Sequence, residues 1–439
     1  MSQIKNYTSK IYDGYKSLGK RFFQKYSFLV PYLISAAFSL LIFEIHMLSD
    51  VDSMLNEKND VISNVFLASQ INYHKEFGPF ARRPLTTFLI ETTANLSGIT
   101  LGRAFIWVNF SLFFLAGTLL FRLSRELNSG YFKGLINIIL FFLSFSVIFA
   151  FFPPVFSYDE PLQYCLVFAG LTSFLKRQWL GYVLWFTAAM IARENTVVLI
   201  LGLLVFMRGS PFYHKNTSYL GRLYNFLCIG MPVLLYGVYL LFYMEINGLW
   251  ANTYVELQDR FHCLKENFRD TQRSIETLVS IFLSLGVFTY FIYRSHLRNT
   301  RVNHKRFVQA FYLSCSANII IVLVAAFSRE ARLFSLPLVF IWPIVGQYCY
   351  REISLLFSYR AYQICFSKIK FLAFLGVLTL LNYLISFKVY VPTPPSSDNY
   401  FNEYLFMSIL VVYLHYLLKH FTEKATVNLS SKNIANRVK

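Results

Sequence analysis

Two carboxylates one residue apart, Asp50 and Asp52, stand just past the first long apolar run of the chain. Glu44 and His46 lie in the last turns of that run. A carboxylate pair at this spacing offers oxygen ligands to a divalent cation. Alternatively, one of them can act as general base on an acceptor hydroxyl or amide. A solvated loop that simply ends a membrane span would use the same residues. Glu44 and Asp52 would share one face if the helix continued, and Glu44 and His46 also suit an interfacial position.

Further charges sit where charge is expensive. Arg82-Arg83 precede Pro84, and Tyr158-Asp159-Glu160 precede Pro161. Arg193-Glu194 interrupt an apolar run, and Ser328-Arg329-Glu330-Ala331-Arg332 separate two others. Ionisable groups at a membrane boundary mark sites or pathways. A guanidinium fork matches a phosphate, so Arg82 and Arg83 can hold a lipid phosphate or make ordinary headgroup contacts. Arg329 and Arg332 can hold a phosphate or diphosphate, or pair with Glu330 or Glu160. Asp159 and Glu160 can cap the next helix, since acids complement the dipole at a helix start.

The elements that must position these residues follow from composition. Of 439 residues 56% are hydrophobic and only 15% charged, and long apolar runs recur along the whole chain. Runs of that length are membrane-span candidates, so the expected fold is all-α, a polytopic helical membrane protein. The net charge of +18 does not point to nucleic acid, because cytoplasmic loops of membrane proteins collect Lys and Arg. The six cysteines show no close pairing and predict neither a disulfide framework nor a zinc site. No phosphate-binding glycine loop, dinucleotide fingerprint or His-Glu-x-x-His motif occurs, which argues against an ATP-driven pump.

The pattern predicts about 12 membrane segments within a single domain over 27–421, between basic cytoplasmic tails at 1–26 and 422–439. The first outer loop, 49–103, contains two amphipathic surface helices, one around Val61–Phe66 and one opened by Pro84. A second outer loop, 247–277, has apolar residues at helical spacing from Tyr254 to Phe268. Spans are expected at 135–152 and 333–350, among others. The run 179–207 is the critical one. As one helix it would be roughly 43 Å long, against a hydrocarbon core of roughly 30 Å, with Arg193-Glu194 at its middle. A helical hairpin with both feet inside removes this problem, provided its tip meets water or protein. The hairpin also puts the later basic loops inside, as the positive-inside tendency requires. No matching interruption is evident in the second half.

An inside N-terminus, an acidic motif right after span 1, two surface helices in the first outer loop and a short hairpin carrying Ala192-Arg193-Glu194-Asn195 together resemble the GT-C class of integral membrane glycosyltransferases. The likeness is best over 27–210. It implies transfer of a sugar from a polyprenyl-phosphate donor, on the extracytoplasmic or lumenal side of a bacterial inner membrane or an ER membrane. It implies a catalytic carboxylate at Asp50 or Asp52, and arginines among Arg82, Arg83, Arg193 and Arg329 that neutralise the leaving phosphate. With Asp159, Glu160, Glu194 and Arg332 these form the expected substrate-binding set. No large soluble domain follows the last span, which turns the expectation toward a glycolipid or glycan acceptor. Two other readings stand beside it: a transporter or flippase for a lipid-linked or anionic substrate, since broken helices form transport sites, and a surface-glycan polymerase or ligase.

Overall fold

The computed structural model describes residues 27–48, 64–76, 78–151, 158–207, 219–248, 250, 262–296, 302–391 and 400–438. Among these the chain is helix and turn, with no strand. Among the described residues six helices are long and apolar enough to cross a membrane: Leu101–Glu126, Leu223–Ile246, Thr271–His296, Asn303–Ala325, Ile369–Val389 and Phe401–Glu423. Large apolar side chains such as Leu234, Leu241 and Phe242, or Phe374, Val377 and Leu380, are exposed along two of them. Contiguous apolar surface of this kind is the face a bilayer covers.

The chain opens with α1, Val30–Leu48. Two helices then occupy the expected first loop: α2, Asn64–Glu76, and α3, Pro84–Ser97. Pro84 takes the first turn of α3, where a missing N–H costs nothing, and Gly98 ends it in the left-handed region at φ 64°, as helix stops favour. Next come α4, Leu101–Glu126, and α5, Tyr131–Phe142. The expected span 135–152 is not one helix: α5 stops at Phe142, and a single turn, Phe145–Ile148, follows.

The run 179–207 breaks where the charges predict. After α6, Glu160–Leu175, comes α7, Trp179–Ala192, which ends as Arg193 becomes extended (φ −162°, ψ 115°). One 3-10 turn, Glu194–Thr196, leads into α8, Val197–Leu204. The segment folds back on itself. The ring of Phe174, at the end of α6, lies 5.4 Å from Tyr182 on the first arm and 5.7 Å from Phe206 just beyond the second. Both feet are thus at one end and Arg193-Glu194 at the other. The tip satisfies its own backbone: Thr196 Oγ1 donates to the carbonyls of Ala189 and Arg193, at 3.0 and 2.8 Å. From α6, Gln163 Nε2 donates to Asn195 Oδ1 and Thr196 Oγ1, both at 2.7 Å.

The second half contains α9, Tyr219–Ile246, then α10, Thr271–Ile281, and α11, Val287–His296, joined by a π-helical turn, Phe282–Gly286. Most of the predicted surface helix from Tyr254 to Phe268 lies outside the described residues; its end is a short helix, Cys263–Asn267. After α12, Val302–Ala325, the expected span 333–350 proves not to be an α-helix. Ala331–Phe340 is a 3-10 run with Pro337 inside it, and turns over 341–344 lead to one short helix, Val345–Tyr348. Runs of 3-10 helix this long are uncommon, and non-α backbone at membrane depth persists only inside protein. Here it is enclosed, since Phe334 to Phe340 are all buried.

Side chains from other elements satisfy this freed backbone. Asn318 Nδ2 donates to Leu333 O at 2.9 Å, and Ser284 Oγ donates to Ala331 O. Asn137 of α5 bridges the next break, donating to Pro343 O at 2.7 Å and accepting from Gly346 N at 2.6 Å. Trp342 fills the space beside it, with ring centroids 5.0 Å from Phe141 and 5.3 Å from Tyr164. The chain continues through α13, Tyr350–Leu356, and α14, Ile369–Leu384, to α15, Phe401–Val438.

Candidate functional site

The odd charges of four separate segments meet in one place. Arg83 precedes α3 and Asp159-Glu160 open α6. Arg193-Glu194 form the hairpin tip, and Glu330 and Arg332 flank the start of the 3-10 run. Arg83 donates from Nε to Glu194 Oε2 at 2.6 Å and from Nη2 to Glu194 Oε1 at 2.5 Å. This is the bidentate fork that makes arginine–carboxylate pairs strong. Its Nη1 lies 4.0 Å from Asp159 Oδ2, and its guanidinium carbon sits 5.1 Å from the centre of the Phe80 ring. Glu160 pairs with Arg193 and also lies 3.4 Å from Arg332 Nη1. Arg332 in turn donates from Nη2 to Glu330 Oε2 at 3.3 Å.

Most of these groups are deep. Asp159 is fully buried and the side chains of Arg193, Glu160 and Arg332 are 5 to 7% exposed. Glu194 is 37% exposed and Glu330 20%. Three guanidinium groups therefore face four carboxylates, with Glu194 and Glu330 toward the open side. Burial, and the neighbouring Glu160 charge, push the Asp159 carboxyl up to about 6, against the opposing pull of Arg83. Protonation of Asp159 would bring the cluster to three charges of each sign, so the direction matches the local electrostatics.

An aromatic wall adjoins the cluster. Tyr158 shares a 2.9 Å hydrogen bond with Thr87. Its ring stacks at 4.0 Å on His74, whose other neighbour, Phe80, is 4.5 Å away. On α9, Tyr239 and Tyr243 donate to the carbonyls of Arg82 and Ala81, at 3.3 and 2.9 Å. This pins the segment that carries Arg83.

Six of the ten predicted site residues come together: Arg83, Asp159, Glu160, Arg193, Glu194 and Arg332. Arg82 precedes Arg83 in the chain, and its carbonyl accepts from Tyr239. Arg329 is elsewhere: its guanidinium lies over Phe327 at 5.3 Å, beside a small polar hollow lined by Asn267, Arg273 and Glu276. The turn sends the side chains of Arg329 and Arg332 to different partners. Asp159 stands at the N-cap of α6 and Glu160 in its first turn, where acids complement the helix dipole. Asp159 makes no side-chain cap bond, and its carboxylate faces Arg83. Asp50 and Asp52 lie outside the described residues, and with them the predicted cation pair. Among the described residues no three of His, Cys, Asp and Glu gather as a cation site. Glu44 is exposed on α1.

Sequence reasoning assigned no site role to Glu330, His74, Tyr158, Thr87 or Gln163. Glu330 carried the same signal as its arginine neighbours. Nothing in the sequence separates His74 from an ordinary surface histidine. Neither a family model, nor a curated protein, nor a solved structure matches this chain.

Chemically, the cluster is a buried set of guanidinium groups paired with its own carboxylates. It can hold an anion where one of those carboxylates gives way. It also presents one carboxyl, Asp159, that can change protonation near neutral pH.

Proposed function

We propose that this chain is an integral membrane glycosyltransferase that moves a sugar from a polyprenyl-phosphate donor to a glycolipid or glycan acceptor on the extracytoplasmic or lumenal face. The observation that carries the reading is the convergence of Arg83, Arg193 and Arg332 with four carboxylates at the hairpin tip. That is where the leaving phosphate of a lipid-linked donor needs compensating charge. In this reading about 12 segments span the membrane, both termini are cytoplasmic, and the cluster faces the outer side.

The reaction needs little beyond charge and position. Asp50 or Asp52 takes the proton of an acceptor hydroxyl. The freed oxygen attacks the anomeric carbon, the bond from that carbon to the phosphate oxygen breaks, and configuration inverts. Polyprenyl phosphate leaves with the bonding pair, and the guanidinium of Arg83 stabilises it. In reactions of this kind, stabilising the developing charge in a dry site does most to lower the barrier, and holding donor and acceptor together supplies much of the rest. A divalent cation on Asp50 and Asp52 would add to that charge compensation.

The test is sugar transfer from a labelled polyprenyl-phosphate sugar in membranes that contain the full chain. Asp50→Asn or Asp52→Asn is expected to lower transfer by at least about a hundredfold, the scale of a lost general base. Full transfer by both variants would sink the assignment.

One observation favours a second reading. The second half has an interrupted apolar segment of its own at 331–348, enclosed by Asn137, Ser284 and Asn318. Paired broken segments form transport sites in several carrier folds. Uptake of a labelled lipid-linked sugar into vesicles, without any covalent product, would favour a transporter or flippase.

A further inference from the structure

Arg83 is approached from two sides that differ in character. From beneath it meets Asp159, which is fully buried, and the Phe80 ring. From the open side it meets Glu194, which fills its fork with two bonds of 2.5 and 2.6 Å yet remains 37% exposed. The same fork geometry accepts two oxygens of a phosphate. Glu194 also sits in the 3-10 turn between the two hairpin arms, directly after the extended Arg193. Any anion reaching Arg83 from the open side therefore has to take the place of the Glu194 carboxylate.

We propose that Glu194 is a built-in placeholder: its carboxylate occupies the phosphate seat of Arg83 and is displaced when a phosphate monoester or diester binds. The inference rests on the phosphate reading of the site, and it adds a regulatory step to it. Without ligand the buried guanidinium stays neutralised, so the cluster keeps its charge balance. With ligand the phosphate takes over that role, and Glu194 is released toward the open side. A seat that is filled most of the time lowers apparent affinity by the fraction of time it is vacant.

The test uses the full chain in phosphatidylcholine nanodiscs, with farnesyl monophosphate and inorganic phosphate as separate probes. Glu194→Gln keeps the size of the side chain and removes its charge. It is expected to bind farnesyl monophosphate roughly tenfold tighter than the wild type. In an Arg83→Lys background, which keeps the charge but loses the fork, the same change is expected to give no gain. Thermal melting and size-exclusion profiles show that each variant is folded, and Glu194→Asp, too short to fill both sites of the fork, should fall between wild type and Gln. Equal binding by wild type and Glu194→Gln overturns the placeholder while leaving the phosphate reading intact. An equal gain in the Arg83→Lys background overturns it too, since bulk charge would then explain the effect. Binding of neither probe to any variant overturns the phosphate reading itself. A gain confined to inorganic phosphate supports the placeholder and assigns the seat to free phosphate.

Discussion

The surroundings of Asp159 raise its carboxyl above the usual carboxylate range. In an unfolded chain its carboxyl would titrate near 4, whereas in the fold it is held up to about 6 by burial and by Glu160. The folded state therefore binds this proton more tightly than the unfolded state. Its stabilising contribution is complete below the unfolded value and is lost as pH rises from about 4 to about 6. Asp159→Asn should abolish that slope. Relative to the variant, the wild type should lose roughly 2–3 kcal/mol across the window, read as the difference between two thermal-unfolding series in detergent at pH 4 to 7. Identical pH dependence of the two proteins would show that Asp159 titrates normally. The arginines around it illustrate a related point. Each buried guanidinium has a carboxylate partner, and removing one partner of a buried pair costs far more than the pair itself contributes.

At the scale of elements, the two broken segments follow one rule. An apolar stretch can leave the α-helix inside a bundle when side chains elsewhere replace the lost backbone bonds. At the hairpin tip Thr196 does this, while Gln163 holds the side chains of Asn195 and Thr196. Around 331–348 the work falls to Ser284, Asn318 and Asn137. Asn137 carries the largest share, because one amide serves both Pro343 O and Gly346 N. Asn137→Leu keeps the volume but strands both groups in the interior. The expected loss is about 2–6 kcal/mol, at about 1–3 kcal/mol for each of the two buried unsatisfied groups, measured as a lowered midpoint of thermal unfolding. A change under about 0.5 kcal/mol would mean that the break has other support. Close packing adds to the constraint. A Cβ on Gly202 of α8 would lie 2.9 Å from the Ala310 carbonyl oxygen of α12, so the second hairpin arm seats directly against that backbone.

For the whole molecule, a second polar network holds the helices that the candidate site does not reach. Lys419 of α15 donates to both oxygens of Glu352 on α13, at 2.8 and 2.7 Å. His415 Nε2 lies 3.1 Å from Glu352, and its Nδ1 shares a 2.8 Å hydrogen bond with the Tyr290 hydroxyl of α11. Glu352, His415 and Lys419 are all buried, so one carboxylate joins α13 to α15 and His415 extends the link to α11. Lys419→Met should destabilise the protein by about 3–5 kcal/mol, because it removes a charged partner from a buried Glu352. Adding Glu352→Gln to Lys419→Met should restore most of the loss, as replacing a whole buried pair is often near neutral. Thermal unfolding of the single and double variants gives the cycle. A double variant no more stable than the single one would mean that the network contributes through packing and not charge.

Much of this was legible in the chain before folding. Apolar runs, basic loops and the cost of charge in hydrocarbon are properties of local composition, so the helical class, the helix opened by Pro84 and the break at Arg193-Glu194 could all be read directly. The same costs singled out the charged turns as the unusual positions. What composition could not supply was partnership. Arg329 and Arg332 look alike in sequence, yet one turns to Phe327 and the other to Glu160 and Glu330. The stretch 333–350 reads as an ordinary span, and it departs from the α-helix because Asn137, 209 positions before Gly346, satisfies the backbone there. Such choices depend on which distant side chain arrives to complete a buried polar group, and only the tertiary structure brings those groups together.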